Sequence, residues 1–329
     1  MPNLIRVSVG TAIVLGIADG KLDAEPTTAY LMTYSKGKCT ANCGFCPQAR
    51  ASKGSADRLA RVTWPLFSTL EVFSALEKVS KTSKVKRICI QALNYPQVFN
   101  DLSIIVKEIK KRVNIPLSVA CQPREKTDIE LLAKAGVDRL GIALDAATQE
   151  TFEKVKGKQA GGPYDWEMQF CLLRNAQTVF GKENVSTHII VGLGETERDL
   201  VKLIQKLVDA EILPALFAFT PVRGTILEAR SPPAVESFRR VQLARYLIVE
   251  GIGRAEGMVF SKEGKVISFG LPKQVLMDAV DSGEPFRTSG CPDCNRPFYN
   301  EKPGGPIYNY PRKLSSSELE EARRQLKLA

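Results

Sequence analysis

Six times between Thr27 and Glu250 the chain repeats one pattern. A short apolar run suited to a β-strand is followed by an amphipathic stretch with helical spacing. The strand candidates are 28–35, 85–91, 116–121, 138–145, 185–191 and 214–220. Helical patterns cover 65–80, 98–112, 126–135, 165–180, 196–210 and 234–250. Leu200, Leu203, Ile204 and Leu207 show the i, i+3, i+4, i+7 spacing of a buried helix face. Six βα units in succession call for parallel strands with helices outside them. An open doubly wound sheet and a partial (βα)6 barrel both satisfy the pattern.

The units divide the chain into three parts: 1–26, a helical extension; 27–250, the βα region; and 251–329, a C-terminal extension. Residues 7–18 (VSVGTAIVLGIA) read as an amphipathic or buried helix, with a signal peptide as the weaker reading. The run is too short to span a bilayer, and no other stretch suggests a membrane segment, so a cytoplasmic location is expected. Beyond 251 lie a hairpin pattern (257–269) turning at Lys262-Glu263-Gly264, a short helix (272–281), a Pro- and Gly-rich segment (283–312) and a charged helix (315–327). The chain has 329 residues, with 46 Lys and Arg against 36 Asp and Glu, a net charge of +10. That surplus suits an acidic partner, or serves only solubility.

Of eight cysteines, five sit in two tight groups: Cys39, Cys43 and Cys46 after the first strand, and Cys291 and Cys294 in the tail. Disulfide scaffolds are shorter and denser in cysteine, so the grouping points to metal. Ligands after a first strand suit a parallel β/α architecture, whose sites gather at the carboxyl ends of strands. Positions i, i+4 and i+7 would also stripe a helix, but Gly37, Asn42, Gly44 and Pro47 make this segment a loop. The spacing C-x3-C-x2-C supplies three thiolates. A [4Fe–4S] cluster normally takes four, so one iron stays free for a small molecule.

The segment resembles the radical S-adenosylmethionine (SAM) superfamily motif C-x3-C-x-aromatic-C, with Phe45 as the aromatic residue. The resemblance implies a partial (βα)6 TIM-type barrel and a [4Fe–4S] cluster on Cys39, Cys43 and Cys46 with SAM on the open iron. It also implies SAM cleavage to a 5′-deoxyadenosyl radical that abstracts hydrogen from an unactivated carbon. Ile190, Gly192 and Glu195 fit the family's fifth-strand G-x-I-x-G-x-x-E motif at the adenine, with His188 in place of the first glycine. Asp145 stands where the family often places a ribose-binding carboxylate; on its residues alone it reads as a helix N-cap before Ala146 and Ala147. Gln91-Ala92-Leu93-Asn94 replaces the usual Gly-Gly-Glu run, which leaves Asn94 as the candidate at the SAM amine.

Within the superfamily, Cys46-Pro47-Gln48 with Arg50, the run Ile190–Thr196, and Arg223-Gly224-Thr225 resemble biotin synthase, and the tail resembles one subunit of the two-protein lipoyl synthases. In biotin synthase a second cluster inside the barrel donates sulfur. Cys89 and Cys121 match its ligand positions, while Ser186 replaces a third. The expected auxiliary Fe–S cluster therefore uses Cys89, Cys121, Cys291 and Cys294, with the tail folded over the barrel mouth and Cys171 left spare. The lipoyl resemblance implies sulfur insertion into a protein-bound octanoyl chain. It implies three partners: an acidic octanoylated lipoyl-carrier protein, a second radical SAM subunit and an electron donor such as ferredoxin. Neither membrane nor nucleic acid is an expected partner. Competing readings are a biotin synthase, core cysteines at 89 and 121, a redox pair, and a zinc-stabilised basic nucleic-acid-binding protein. The last leaves the βα units and Phe45 unexplained.

Overall fold

A computed structural model of the chain describes residues 1–301 and 304–327. β1 (Leu4–Val7) and α1 (Val9–Val14) precede β2 (Thr28–Met32). A long loop then carries the small hairpin of β3 (Arg58–Leu59) and β4 (Val62–Thr63), followed by β5 (Leu66–Ser68) and α2 (Thr69–Ser80). Regular alternation follows: β6 (Arg87–Gln91), α3 (Val98–Arg112), β7 (Leu117–Ala120), α4 (Lys126–Ala135), β8 (Arg139–Gly141), α5 (Gln149–Val155) and α6 (Trp166–Phe180). It continues through β9 (Val185–Val191), α7 (Glu197–Asp209), β10 (Leu213–Ala218) and α8 (Val235–Val249). The C-terminal part holds the hairpin β11 (Val259–Phe260) and β12 (Val266–Ser268), α9 (Lys273–Asp281) and α10 (Ser316–Leu326).

Strand order settles which parallel architecture forms. The sheet runs β10-β9-β8-β7-β6-β2-β1-β5, with the pairs from β2 to β10 parallel. The six parallel strands follow chain order without reversal. Right-handed crossovers that always step the same way put their helices on one face, so the sheet curls and its other face becomes a lumen. A doubly wound sheet would reverse its order part way. The fold is thus the partial barrel, with β1 and β5 added antiparallel beyond β2.

Strand and helix limits follow the apolar pattern closely, with three exceptions. The helix expected over 7–18 is shorter, because Ile5 and Val7 join the core as strand residues and Ser8 caps α1, accepting from Thr11 N–H at 3.3 Å. Residues 66–68 pair with β1 before α2 begins. The fourth barrel strand ends at Gly141; Asp145, with a left-handed backbone of φ 68°, makes only an isolated bridge to Ile189. Sequence patterning also left α5 and the β3–β4 hairpin unassigned; both are too short to show a period. Among the described residues, no helix is long and apolar enough to cross a membrane.

The tail folds over one end of the barrel, as expected, and that end is the one at the amino ends of the strands. It plugs that end and then climbs the open seam. Asn295 accepts from Thr27 N–H (3.0 Å) and Pro292 C=O accepts from Arg87 Nε (3.0 Å), both at the amino ends of strands. At the seam, Arg296 N–H donates to Tyr30 Oη on β2 (3.0 Å), and its guanidinium stacks 3.9 Å from the Phe217 ring centroid on β10. Leu216 N–H on β10, an edge strand, donates to Ser289 Oγ (2.8 Å). A polar cap of this kind satisfies an edge that would otherwise face water or another chain.

Candidate active site

The cysteine loop lies across the carboxyl ends of the strands, where β2 delivers it. Three backbone contacts hold it, from the loop after β6, the end of α5 and the segment after β10. Thr40 N–H donates to Asn94 C=O after β6 (2.8 Å), Gly44 N–H to Val155 C=O (2.7 Å), and Leu227 N–H after β10 to Gly44 C=O (3.0 Å). From below, Lys38 Nζ reaches Pro47 C=O (3.1 Å) and Gly54 C=O (2.7 Å). Gly224 packs on the same loop with φ 86°, and a Cβ there would sit 2.3 Å from Gly54 N, so only glycine fits.

Cys39, Cys43 and Cys46 come together. Burial pushes the Cys43 thiol well up and Cys46 up to about 12, and the charge of Cys39 adds to both. Donors face these sulfurs. Asn94 N–H points at Cys39 Sγ (3.3 Å), and the Lys156 ammonium opposes the rise at Cys43. Buried thiols at Cys43 and Cys46, with a backbone donor at Cys39 and a cation beside Cys43, suit ligation by iron, which replaces the proton with positive charge.

Asp145 is not an N-cap: Thr148 caps α5, accepting from Thr151 N–H (3.2 Å). Instead Asp145 Oδ2 meets Lys156 Nζ at 2.7 Å, and Lys156 also donates to Ala143 C=O. The ammonium lies 5.0 Å from the Tyr164 ring centroid, and Tyr164 Oη accepts from Asn94 Nδ2 (2.6 Å). Phe45, Asp145 and Ile190 line the lumen, whereas Asn94 lines a smaller neighbouring cavity. Gly192 adopts φ 108°, and a Cβ there would come 3.0 Å from Pro233 Cδ. Glu195 Oε1 accepts from Ala147 N–H (2.6 Å), tying the ends of β8 and β9 together.

The tail brings Cys291 and Cys294 to Cys89, whose thiol burial pushes up and their charges push further. Each sulfur has a polar neighbour: Gln91 Nε2 to Cys89 Sγ (3.1 Å), Ser118 Oγ to Cys291 Sγ (3.9 Å), and Tyr30 Oη to Cys294 Sγ (3.4 Å). Cys121 is not part of this group, which corrects the four-cysteine set. Ser118 faces the lumen, so the two-residue period of a strand turns Cys121 outward into the helix layer, where Asp128 is its charged neighbour. Cys171 sits on α6 beside Asn175, away from both groups. Among the described residues, no three His, Cys, Asp or Glu side chains converge as a single metal ion requires.

One cavity of about 560 Å³ is lined by cysteines of both thiol groups, Cys46 of the first and Cys89, Cys291 and Cys294 of the second. Ser186 and His188 line the same cavity. Burial holds the His188 imidazole down at about 4, and Arg296 and Lys156 add to the effect against Asp145. Lys38, Lys156, Tyr164, Ser118 and Arg296 carry no motif, so sequence reading passed over them. The one hint was an Arg two residues after the C-x2-C pair.

Curated relatives include the biotin synthase of Sulfurihydrogenibium sp. (strain YO3AOP1), 26% identical over 202 residues, covering 60% of this chain and 56% of the relative. The biotin synthase of Bordetella avium (strain 197N) is 27% identical over 223 residues, covering 65% and 64%. The chain thus spans less than two thirds of the length of these relatives. Among solved structures, HydG, a maturase of the [FeFe]-hydrogenase, superposes with a TM-score of 0.53 at 14% identity, covering 74% of this chain and 58% of that one. Methylornithine synthase (PylB) gives 0.51 at 13% identity, covering 67% and 62%. These likenesses show the fold. A family model described as the radical SAM superfamily matches residues 34–207, more than half of the chain. Since that match takes in the cysteine loop and β6 through β9, the chain belongs to the radical SAM superfamily.

Proposed function

We propose that this chain inserts sulfur into an unactivated C–H bond of a protein-bound octanoyl chain, in the manner of a lipoyl synthase subunit. The observation that carries the reading is one lumen lined by cysteines of both groups. When bound, a [4Fe–4S] cluster with SAM at Cys39, Cys43 and Cys46 supplies hydrogen-atom removal, and a second cluster at Cys89, Cys291 and Cys294 supplies sulfur. The chain's own residues orient and shield. Asn94 and Lys156 set the electrostatics at the first group; Tyr30, Ser118 and Gln91 address the second. The tail seals the seam and the amino end against water, which protects a reactive carbon centre from side reactions.

The relatives named biotin synthase support sulfur chemistry and also favour a second reading, biotin formation from its desthio precursor. The tail resemblance and the serine at 186 favour the octanoyl reading. An acidic octanoylated carrier, a second radical SAM subunit and a ferredoxin-type donor are the proposed partners. Anaerobic incubation with octanoylated carrier peptide, SAM and a reductant, followed by mass spectrometry, tests the reading. A thiol-bearing octanoyl product supports it. Turnover of desthiobiotin alone replaces it with the second reading. A Cys291→Ala, Cys294→Ala variant that still cleaves SAM but yields no thiolated product ties the sulfur to the tail; normal insertion by that variant removes the tail from the mechanism.

A further inference from the structure

The cysteine loop spans the carboxyl ends of the strands, and residues 291–295 fill the amino ends. The cavity nevertheless continues outward past Tyr30, to a slot between the β3–β4 hairpin and segments 8–10 and 21–26. Its walls are Val9, Leu22, Pro26, Leu59, Val62 and Trp64. Charge appears at the rim, on the exposed side chains of Lys21, Asp23 and Arg61. Trp64 is 1% exposed, and its indole N–H has no acceptor among the described residues. Buried donors are ordinarily paired, so this one marks a place where an acceptor belongs.

A passage that is mostly apolar along its walls and is charged only at its lip matches a particular ligand class. That ligand is a linear aliphatic chain attached to something too large and too polar to follow it. We propose that this side slot is the entrance to the lumen for such a chain, and that its macromolecular carrier rests on the rim at Lys21 and Arg61. The inference rests on the acyl-chain reading above and adds where the chain enters. Side entry leaves both sealed ends of the barrel intact while the chain is threaded between the two thiol groups.

The test uses the wild-type holoenzyme and a carrier peptide whose lysine bears an octanoyl analogue with a diazirine on the carbon next to the carbonyl. Photolysis and peptide mapping should place the adducts on residues 21–26 and 59–64. Adducts concentrated on 42–46 and 158–164 would show entry through the cysteine-loop end and overturn the side slot, leaving the acyl-chain reading in place. A probe that does not label the protein, or whose labelling octanoylated carrier fails to displace, overturns the acyl-chain reading and this inference with it. As a second measurement, Ala24→Trp narrows the slot and should raise KM for the octanoylated carrier about tenfold with little change in kcat. An unchanged KM in that variant, folded as judged by circular dichroism, overturns the slot.

Discussion

Lys156 Nζ lies 2.7 Å from Asp145 Oδ2, with side-chain exposures of 1% and 10%, directly beneath the cysteine loop. Desolvation offsets most of the attraction in an intact buried ion pair of this kind, but breaking it costs a great deal, since one charge is then left without its partner. Lys156→Met should therefore lower stability by about 3–5 kcal/mol. The double variant Lys156→Met, Asp145→Asn should recover a large part of that loss. Urea denaturation of the three proteins measures both; a Lys156→Met variant as stable as wild type contradicts the prediction.

Iron content should separate the cysteines. Reconstituted wild-type protein is expected to hold about eight irons per chain, the content of two cubane clusters. Cys89→Ala, Cys291→Ala and Cys294→Ala should each fall toward about four. Cys121→Ser should stay at the wild-type value, because that thiol faces the helix layer. Loss of iron in the Cys121 variant, with the others unaffected, would reverse the assignment.

His188 is the only histidine, so its imidazole gives a single, unambiguous NMR titration. In the metal-free folded protein the midpoint should lie at about 4. The sign of the stability effect follows: the folded value lies below the unfolded value of about 6.5, so the unfolded chain binds the proton first as pH falls. Stability is thus fully present above about pH 6.5 and is lost progressively down to about pH 4. His188→Asn should flatten that slope. A midpoint near 6.5 in the folded protein would show that water reaches the imidazole freely.

Gly224→Ala should be costly although Gly224 lies outside both cysteine groups. Its left-handed backbone alone costs a non-glycine residue about 1–3 kcal/mol. The new Cβ would also press on Gly54, displacing the loop held by Lys38. A drop in the urea midpoint together with slower iron uptake at the first site is expected; unchanged values would mean that the loop relaxes without strain.

The surplus of +10 predicts that binding of an acidic octanoylated carrier weakens as salt rises. Titrations at low and high ionic strength measure this directly. Binding that is indifferent to salt would place the contact on apolar surface instead.

Much of the fold was legible in the sequence because each element announces itself locally. Helices 98–112 and 126–135 have the limits their apolar spacing dictates. The short pieces were not legible: β3, β4 and β5 span two or three residues and exist only through their pairing partners. Site residues divide in the same way. Cys39, Cys43 and Cys46 could be read from spacing, because neighbours on one loop cannot be far apart. Lys156 and Asp145 meet across 11 residues and an intervening helix, and no local pattern foretells such a pair.

The sequence by itself determined a run of βα units, a three-cysteine loop after the first of them, and a second cysteine pair far along the chain. Those are local properties of composition and period. Only the tertiary structure decided that Cys89 faces the lumen and Cys121 does not, since three residues past an inward serine the strand has turned over. Only the tertiary structure decided that the tail enters from the amino ends and seals the seam between Tyr30 and Phe217. Those outcomes depend on which long-range contacts satisfy β10's open edge and Arg87, and no stretch of sequence contains both sides of such a contact.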